Sequence, residues 1–369
     1  MTLVIFVLLS TIFLAYANGA NDNFKGVATL FGSRTTDYKK AIWWATITTF
    51  LGSLAAIFIS AKLIGVFSGK GLVPDSIVRD PNFLICVGMG AALTVFIATM
   101  TGMPVSTTHA LTGALIGVGL VSAGAQIDFH ILGKRFFLPL LLSPAISIFL
   151  TLAIYPCFKF ARINLGIERE MCLCIGNNVE SVCIQRDGTA VLKSSGLTIA
   201  VDELKNCQQY YQGRILGFDS QKVLDKLHYI SAGAVGFARG LNDTPKIIAL
   251  LLVMSAISLK LGIFLVAFAM AIGGLLNARK VALTMSERIT KMNHVQGFSA
   301  NIITAFLVIF ASKWGLPVST THVSCGSLFG IGLVNKKADW HIIGKIILAW
   351  IITLPLAGFL SGTIYFLLK

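Results

Sequence analysis

The sequence predicts an all-α polytopic membrane protein: two inverted-topology repeats with broken helices or re-entrant hairpins, about 10–12 membrane segments, and a small α+β insert. Three observations predict this fold. Of the 369 residues, 55% are hydrophobic and only 12% are charged, whereas a water-facing surface needs roughly 25% charged residues. Short motifs recur in the same order in both halves, and the charge bias of the loops changes sides between them. This composition excludes soluble enzymes, collagen-like chains and disordered proteins.

Ten apolar stretches are candidates to enter the bilayer. A straight crossing needs about 20 residues, so the shorter stretches predict half-helices that meet inside the membrane. The stretches are 3–17, 41–61, 83–100, 109–122, 136–158, 245–258, 261–277, 298–311, 321–334 and 342–368.

Three motifs recur in the same order, with offsets of 221, 213 and 211 residues. Such a small drift indicates an internal duplication, because unrelated matches would not keep both order and spacing. The predicted organisation is a first membrane repeat at 1–160, a soluble insert at 161–228 and a second membrane repeat at 229–369. The recurring pairs are Asn21–Lys25 with Asn242–Lys246, Gly102–His109 with Gly315–His322, and Asp128–Lys134 with Asp339–Lys345.

The insert at 161–228 differs from the rest of the chain in charge. It holds eight acidic and eight basic residues, so the whole net charge of +14 belongs to the membrane repeats. Nucleic-acid binding is one explanation of a basic chain, but basic loops beside apolar runs are typical of membrane proteins, and we expect no nucleic-acid partner. Asp187-Gly188 predicts a β-hairpin between 182–184 and 190–192, and 202–212 and 220–228 look helical.

Loop charge favours an inverted relation between the repeats. In the first repeat the loop at 32–40 carries net +2 and that at 62–82 net +1, whereas the equivalent loops at 255–261 and 278–292 carry net +1 and +3. Because basic loops stay in the cytoplasm, this exchange predicts opposite orientations. It also predicts a multi-pass protein of the plasma or inner membrane, in contact with lipid, with the insert in the cytoplasm.

Acidic side chains in the first motif predict a cation site. Asp22 follows one long apolar stretch and Asp243 precedes another. An ionisable group at membrane depth costs about 2.5–3.5 kcal/mol on insertion scales, and therefore indicates a functional site. With their neighbours Asn23 and Thr244 they are the candidate Na⁺ ligands. The alternative is that these polar residues only cap the helices that follow.

A break in the chain is predicted beside the second of these aspartates. Pro245 has no backbone N–H to lose and suits the first turn of a helix. We therefore expect one helix to end at Gly240 and the next to begin near Thr244.

The second motif, Pro-Val-Ser-Thr-Thr-His, predicts an anion site. Its proline starts a helix whose first turn carries three hydroxyls. Free backbone N–H groups, the positive end of the helix dipole and the hydroxyls then attract a tetrahedral oxyanion. The alternative is that the hydroxyls bond back to their own helices. The candidate ligands are Ser106, Thr107, Thr108, Ser319, Thr320 and Thr321.

Together, these cation and anion sites indicate coupled transport of an oxyanion with Na⁺ or H⁺, because cations offset the cost of burying a dianion. Lys25 and Lys246 either contact the anion or pair with the aspartates. His109 and His322 either shuttle protons or are structural. A membrane enzyme would need a nucleophile with a base or a carboxylate metal cluster, and an anion channel would need rings of basic residues. We therefore predict no enzyme activity and no organic cofactor.

The segments Gly19-Ala20-Asn21-Asp22 and Leu241-Asn242-Asp243-Thr244 and both Pro-Val-Ser-Thr-Thr-His motifs resemble the signatures of the inorganic phosphate transporter family. That family comprises Na⁺- or H⁺-coupled phosphate permeases. The resemblance covers both repeats. It implies that Asp22 and Asp243 with Asn21 and Asn242 belong to the cation and phosphate site, and that the hydroxyls of the second motif bind phosphate. It also implies hairpins that reach the membrane midplane, a transport unit that moves against a scaffold, and a homodimer.

Two departures from the family pattern bear on the coupling ion. Many members carry a glutamate where this chain has Asn301, and often another near Thr49. Their absence favours Na⁺ over H⁺. The prediction is therefore a Na⁺–phosphate symporter; a proton-coupled phosphate or metal-phosphate permease and a sulfate permease are the alternatives.

Overall fold

The computed structural model describes residues 2–164, 171–180, 193–203, 216–253 and 257–369. Within these ranges, seven helices are long and apolar enough to span a membrane. The chain is a multi-pass membrane protein, and the all-α polytopic prediction is confirmed.

Ten helices of sixteen residues or more occur in the described ranges. Five lie on each side of the insert, and the recurring motifs occupy equivalent places in the two sets. The helices are α1 (Thr2–Asp22), α2 (Tyr38–Ile59), α3 (Pro81–Thr101), α4 (Thr107–Ala123), α5 (Leu138–Asn164), α6 (Ser220–Leu252), α7 (Leu259–Asn277), α8 (His294–Trp314), α9 (Thr320–Asn335) and α10 (Trp340–Leu368).

Shorter helical pieces connect the long helices. The α-helical pieces are Ala28–Gly32, Ala61–Phe67, Asp75–Val78, Phe129–Ile131 and Arg279–Leu283. The 3₁₀ turns are Asn23–Gly26 and Gly124–Gln126, and the π-helical stretches are Leu132–Phe137 and Thr284–Arg288.

The second recurring motif acts as a signal that ends one helix and starts the next. Gly102 and Gly315 end α3 and α8 in the left-handed conformation, at φ 75° and 74°, which glycine adopts without steric cost. The Ser106 and Ser319 side chains then accept hydrogen bonds from the backbone of α4 and α9 and cap them. The second motif therefore forms a tight break between two helices in each repeat.

The first motif behaves differently in the two repeats. In the first, α1 ends at Asp22 and continues as a 3₁₀ turn. In the second, α6 runs without interruption through Pro245 to Leu252, so the predicted break between Gly240 and Thr244 is wrong. A proline removes one helical hydrogen bond, but neighbouring helices in a membrane bundle can satisfy the freed carbonyl, so the helix continues.

Close backbone contacts join helices of one repeat to helices of the other. At each of the glycines named below, a methyl group would overlap or crowd the backbone of the facing helix, so only glycine permits this approach. The contacts are reciprocal, because equivalent helices of the two repeats make equivalent contacts. Helix α1 packs against α7, and its equivalent α6 packs against α2. In the same way α4 packs against α10, and its equivalent α9 packs against α5. The glycines and the facing carbonyls are Gly19 with Met270, Gly240 with Thr49, Gly113 with Leu354, and Gly326 with Pro144.

Replacing Gly240 by alanine is expected to lower the free energy of unfolding by about 1–3 kcal/mol, because the new methyl group overlaps the Thr49 carbonyl and overpacking costs that much. Gly344 in α10 is the matched control, since nothing lies within 4 Å of its added methyl group. Thermal unfolding in detergent measures both variants. An unchanged midpoint for Gly240→Ala would contradict the close contact.

The chain forms two compact units: the first comprises Met1–Tyr155 and Ile230–Lys369, and the second comprises Pro156–Tyr229. Within the second, β1 (Met171–Glu180) pairs antiparallel with β2 (Lys193–Glu203) and with β3 (Leu216–Asp219), in the order β2-β1-β3. The predicted hairpin strands at 182–184 and 190–192 lie outside the described residues, as does most of 202–212. Residues 220–228 are helical, as part of α6.

Large apolar side chains cover the outside of the first unit. Leu141 is 69% exposed, Ile351 66% and Phe359 71%. In a soluble protein these would form adhesive patches, whereas in a membrane protein they face lipid. The polar side chains of the recurring motifs lie inside instead.

Candidate functional site

The recurring motifs of the two repeats meet inside the first unit. The end of α1, the middle of α6 and the starts of α4 and α9 bring their polar side chains together. Each of these predicted ligands is at most 6% exposed: Asn21, Asp22, Asn23, Lys25, Ser106, Thr107, Thr108, Asn242, Asp243, Thr244, Lys246, Ser319, Thr320 and Thr321.

Lys25 connects the two repeats through its ammonium group. Its Nζ donates to Thr321 Oγ1 at 2.7 Å and to the Val105 carbonyl at 2.8 Å, and it forms an ion pair with Asp22 Oδ1. Thr321 Oγ1 also donates to the Val105 carbonyl, at 2.8 Å. The start of α9 in the second repeat therefore contacts the segment that precedes α4 in the first.

Lys246 makes the equivalent contacts with the repeats exchanged. Its Nζ donates to Thr108 Oγ1 at 2.8 Å and to the Val318 carbonyl at 2.7 Å, and it lies 3.4 Å from Asp243 Oδ1. Thr108 Oγ1 donates to the Val318 carbonyl at 3.4 Å. Each lysine thus pairs with the aspartate of its own repeat and reaches a threonine of the other.

Asn18, which the sequence analysis did not single out, links the two aspartates. Its Nδ2, which carries two hydrogens, lies within hydrogen-bond distance of three oxygens: Thr107 Oγ1 at 2.9 Å, Asp22 Oδ2 at 3.1 Å and Asp243 Oδ2 at 3.3 Å. Thr107 in turn donates to Asp22 Oδ2 at 3.3 Å. Asp22 makes no side-chain cap and Asp243 lies within α6, so neither aspartate serves as a helix cap.

Arg239 is the second residue that the sequence analysis missed. It is 1% exposed, and its Nε lies 3.7 Å from Asp243 Oδ2. Its Nη2 donates to Asn18 Oδ1 at 2.6 Å and its Nη1 to Asn23 Oδ1 at 3.0 Å. An arginine at membrane depth is costly and is itself a signal of function, so its place between apolar segments of the sequence could have identified it.

The two asparagines of the first motif hold the second motif in place. Asn21 Oδ1 accepts from the Val105 backbone N–H at 3.1 Å and Nδ2 donates to Thr99 at 3.0 Å. Asn242 Nδ2 donates to the Val318 carbonyl at 3.2 Å, and its Oδ1 accepts from Ser312 at 3.2 Å. Both amides therefore fix the segment that leads into a helix start.

The six hydroxyls of the second motif divide by what they bind. Ser106 and Ser319 cap their own helices, as the alternative interpretation predicted. Thr107, Thr108 and Thr321 instead contact the aspartate, the lysines and the facing segment. Thr320, at the first residue of α9, is 6% exposed.

The predicted cation ligands Asn23 and Thr244 both contact α2. Asn23 Nδ2 donates to Thr46 at 2.8 Å, and Thr244 Oγ1 donates to Ser53 Oγ at 2.7 Å. Each is next in sequence to its aspartate, and Asn23 Oδ1 accepts a hydrogen bond from Arg239 Nη1 at 3.0 Å.

His109 and His322 lie against each other, with ring centroids 4.5 Å apart. His322 also stacks near Trp350 at 4.0 Å, and its Nδ1 lies 3.2 Å from the Leu140 carbonyl. Within the described ranges, His109 Nδ1 and His322 Nε2 have no hydrogen-bond partner. Asn301 contacts Thr29 Oγ1 at 3.0 Å, away from the lysines.

The buried charges sum to a positive site. Lys25, Lys246 and Arg239 face the two carboxylates of Asp22 and Asp243, which leaves a formal net charge of one positive unit. Two helix N-termini add partial positive charge. The described part of the chain contains no cluster of three or more His, Cys, Asp or Glu side chains that could hold a metal ion. The net positive charge and the two helix N-termini together favour an anion.

The chain is similar to a known protein family over most of its length. The model of the phosphate transporter family matches residues 18–361. The chain belongs to this family. Membership of the phosphate transporter family covers both repeats and the site described above.

Relatives within the family are similar over nearly their whole length. A protein of Rhizobium meliloti, named a probable low-affinity inorganic phosphate transporter, is 27% identical over 96% of this chain and 93% of the relative. A protein of Pyrococcus abyssi, named as a phosphate permease, is 27% identical over 95% of this chain and 94% of the relative. These relatives are transporters and not enzymes, as the sequence predicted.

A solved structure shares the fold. It is titled the sodium-dependent phosphate transporter, and it covers 100% of this chain with a TM-score of 0.77 at 19% sequence identity. The similarity extends over 99% of that chain.

Proposed function

We propose that this member of the phosphate transporter family takes up inorganic phosphate by symport with Na⁺, with the anion bound between the two repeats near the membrane midplane. The observation that carries the proposal is the reciprocal crossing of the lysines. Lys25 reaches Thr321, and Lys246 reaches Thr108. Two ammonium groups and two helix starts therefore converge from opposite repeats.

This arrangement suits a tetrahedral oxyanion. Helix N-termini and hydroxyls donate hydrogen bonds to phosphate oxygens, and ammonium groups add charge-assisted bonds. We infer that phosphate replaces the contacts that the lysines now make with Thr108 and Thr321. Ser106, Thr107, Ser319, Thr320, Asn21 and Asn242 then orient or complete the shell.

Charge supports a co-transported cation. A site of one net positive charge that receives a dianion retains one negative charge, and a single Na⁺ balances it. The oxygens of Asp22, Asn23, Asp243 and Thr244 are the hard ligands that Na⁺ prefers. The name of the solved neighbour, which includes sodium dependence, and the uncharged Asn301 and Thr49 support Na⁺ over H⁺.

Transport requires the buried site to open to each side in turn. Reciprocal glycine contacts between the repeats and the exchanged loop charges support two repeats of inverted topology, with the insert at 161–228 in the cytoplasm. We propose that a transport unit moves against a scaffold in the cell membrane, by the alternating access that such repeats permit. The family resemblance also supports a homodimer.

The direct test is uptake of ³²P-phosphate into proteoliposomes that contain the purified protein. Inward Na⁺ and H⁺ gradients are imposed separately, and sulfate is added as a competitor. We expect uptake that follows the Na⁺ gradient and is indifferent to sulfate. Uptake driven only by H⁺ would reject Na⁺ symport and direct attention to His109 and His322, and inhibition by sulfate would indicate a different oxyanion.

Replacing Thr108 or Thr321 by valine is expected to weaken phosphate binding roughly tenfold to a hundredfold, because a hydrogen bond to a charged group is worth about 1.5–3 kcal/mol. Valine keeps the shape of the side chain and removes the hydroxyl. Thr112→Val is the matched control, since this buried hydroxyl donates to the carbonyl of Thr108 in its own helix. The concentration dependence of uptake gives the affinity. A phosphate affinity equal to that of the wild type in all three variants would contradict Thr108 and Thr321 as phosphate ligands.

A further inference from the structure

The guanidinium group of Arg239 lies in a nest of oxygen atoms. Besides Asn18 Oδ1 and Asn23 Oδ1, it contacts the Asn18 carbonyl at 3.3 Å and Thr49 Oγ1 at 3.3 Å, and Asp243 Oδ2 lies 3.7 Å from Nε. These five atoms belong to residues of α1, α2, α6 and the 3₁₀ turn. All four partner residues are at most 3% exposed.

The chemistry of this nest is that of an alkali-cation site. A backbone carbonyl, two amide oxygens, a hydroxyl and a carboxylate are the ligands that hard cations take in proteins. An arginine side chain is always charged. The nest is therefore occupied by a positive charge that the chain itself supplies.

The internal duplication shows that only the second repeat carries this charge at the equivalent position. The offset of 221 that relates Asn21 to Asn242 relates Asn18 to Arg239 and Asn23 to Thr244. The equivalent place beside Asp22 is therefore served by the neutral amide of Asn18, which donates to Asp22 Oδ2 at 3.1 Å. A duplicated site would offer two cation positions, one beside each aspartate.

We infer that Arg239 is a tethered cation that fills one of these two positions, so that transport uses a single mobile Na⁺, which binds beside Asp22. The inference rests on the proposed Na⁺–phosphate symport and narrows its ligands: Asp22 binds the mobile Na⁺, while Asn23 and Asp243 hold the guanidinium group of Arg239. Arg239 moves with the protein and returns with it, so it contributes charge to anion binding but draws no energy from the Na⁺ gradient. It is a residue that determines stoichiometry and does not touch the phosphate.

The test compares Na⁺ dependence in the wild type, Arg239→Gln and Arg239→Lys. We expect Arg239→Gln to open the second position to Na⁺, so that the Hill coefficient for Na⁺ rises from about one to about two. Arg239→Lys loses most of the hydrogen bonds but keeps the charge, and its Hill coefficient stays near that of the wild type. If Arg239 were only a structural link, both variants would lose uptake and the Hill coefficient for Na⁺ would stay at the wild-type value in both. That result would overturn the inference.

A measurement on the wild type needs no folded variant. The ratio of ²²Na⁺ to ³²P-phosphate flux in proteoliposomes is expected to be one, and a ratio of two or more would overturn the inference. The proposed function is tested separately, by whether the wild type responds to Na⁺ at all. If it does not, both the symport and the inference fail, whereas a wild type that responds to Na⁺ but shows a flux ratio of two or more keeps the symport and overturns only the inference.

Discussion

Replacing Lys246 by methionine is expected to lower phosphate uptake at least a hundredfold. The ammonium group donates to Thr108 and to the Val318 carbonyl, and under the proposed function it transfers such bonds to phosphate. Two charge-assisted hydrogen bonds at about 1.5–3 kcal/mol each account for a loss of this size. Methionine keeps the length of the side chain, so the change removes charge and donors with little change in volume.

Initial rates of ³²P-phosphate uptake over a range of phosphate concentrations measure this loss. Lys25→Met is expected to match Lys246→Met, because the two lysines make equivalent contacts in exchanged repeats. Lys345→Met removes a lysine from the exposed face of α10 and serves as the control. A normal rate for either buried variant would contradict an anion site between the repeats.

Asp243→Asn is expected to lower the free energy of unfolding more than Asp22→Asn does. Asp243 lies within ion-pair distance of both Lys246 and Arg239, whereas among the described residues Asp22 forms an ion pair with Lys25. Removing one partner of a buried ion pair costs about 3–5 kcal/mol, because the other charge stays buried without compensation. Both variants are expected to lose Na⁺-driven uptake.

Thermal unfolding in detergent separates the two aspartates, and uptake under a Na⁺ gradient tests their shared role. Asp75→Asn, at an exposed carboxylate in the short helix Asp75–Val78, is the control for loss of a negative charge. A lower unfolding midpoint for Asp22→Asn than for Asp243→Asn would contradict the pairing described above. Normal Na⁺ dependence in both would reject them as cation ligands.

The sequence predicted the polytopic helical fold and the residues that gather at its centre, because both follow from local signals. Apolar length identifies spans, and the Gly-x-Pro-Val-Ser-Thr-Thr motif carries its own helix stop and helix start. Asn18 and Arg239 were missed for a different reason. They occupy equivalent places in the two repeats, but one is an amide and the other a guanidinium, so a search for recurring residues passes over them.

The continuous course of α6 was also outside the reach of local rules. Pro245 marks a helix start in most sequence contexts, and the first repeat does break at the equivalent place, after Asp22. In α6 the helix continues because the surrounding bundle, and not the sequence nearby, decides whether the freed carbonyl is satisfied. The first motif therefore recurs in the sequence of both repeats, but the backbone follows a different course at the two copies.

The crossing of the lysines sets a condition on biosynthesis. Lys25 and its partner Thr321 are separated by 296 residues, which a ribosome takes roughly 15–60 s to add at about 5–20 residues per second. During that time the first repeat holds a lysine whose partner Thr321 does not yet exist. Until then, water, lipid headgroups or the insertion machinery must solvate the polar groups of the early helices. The helix bundle can complete its packing only after the last third of the chain has been synthesised.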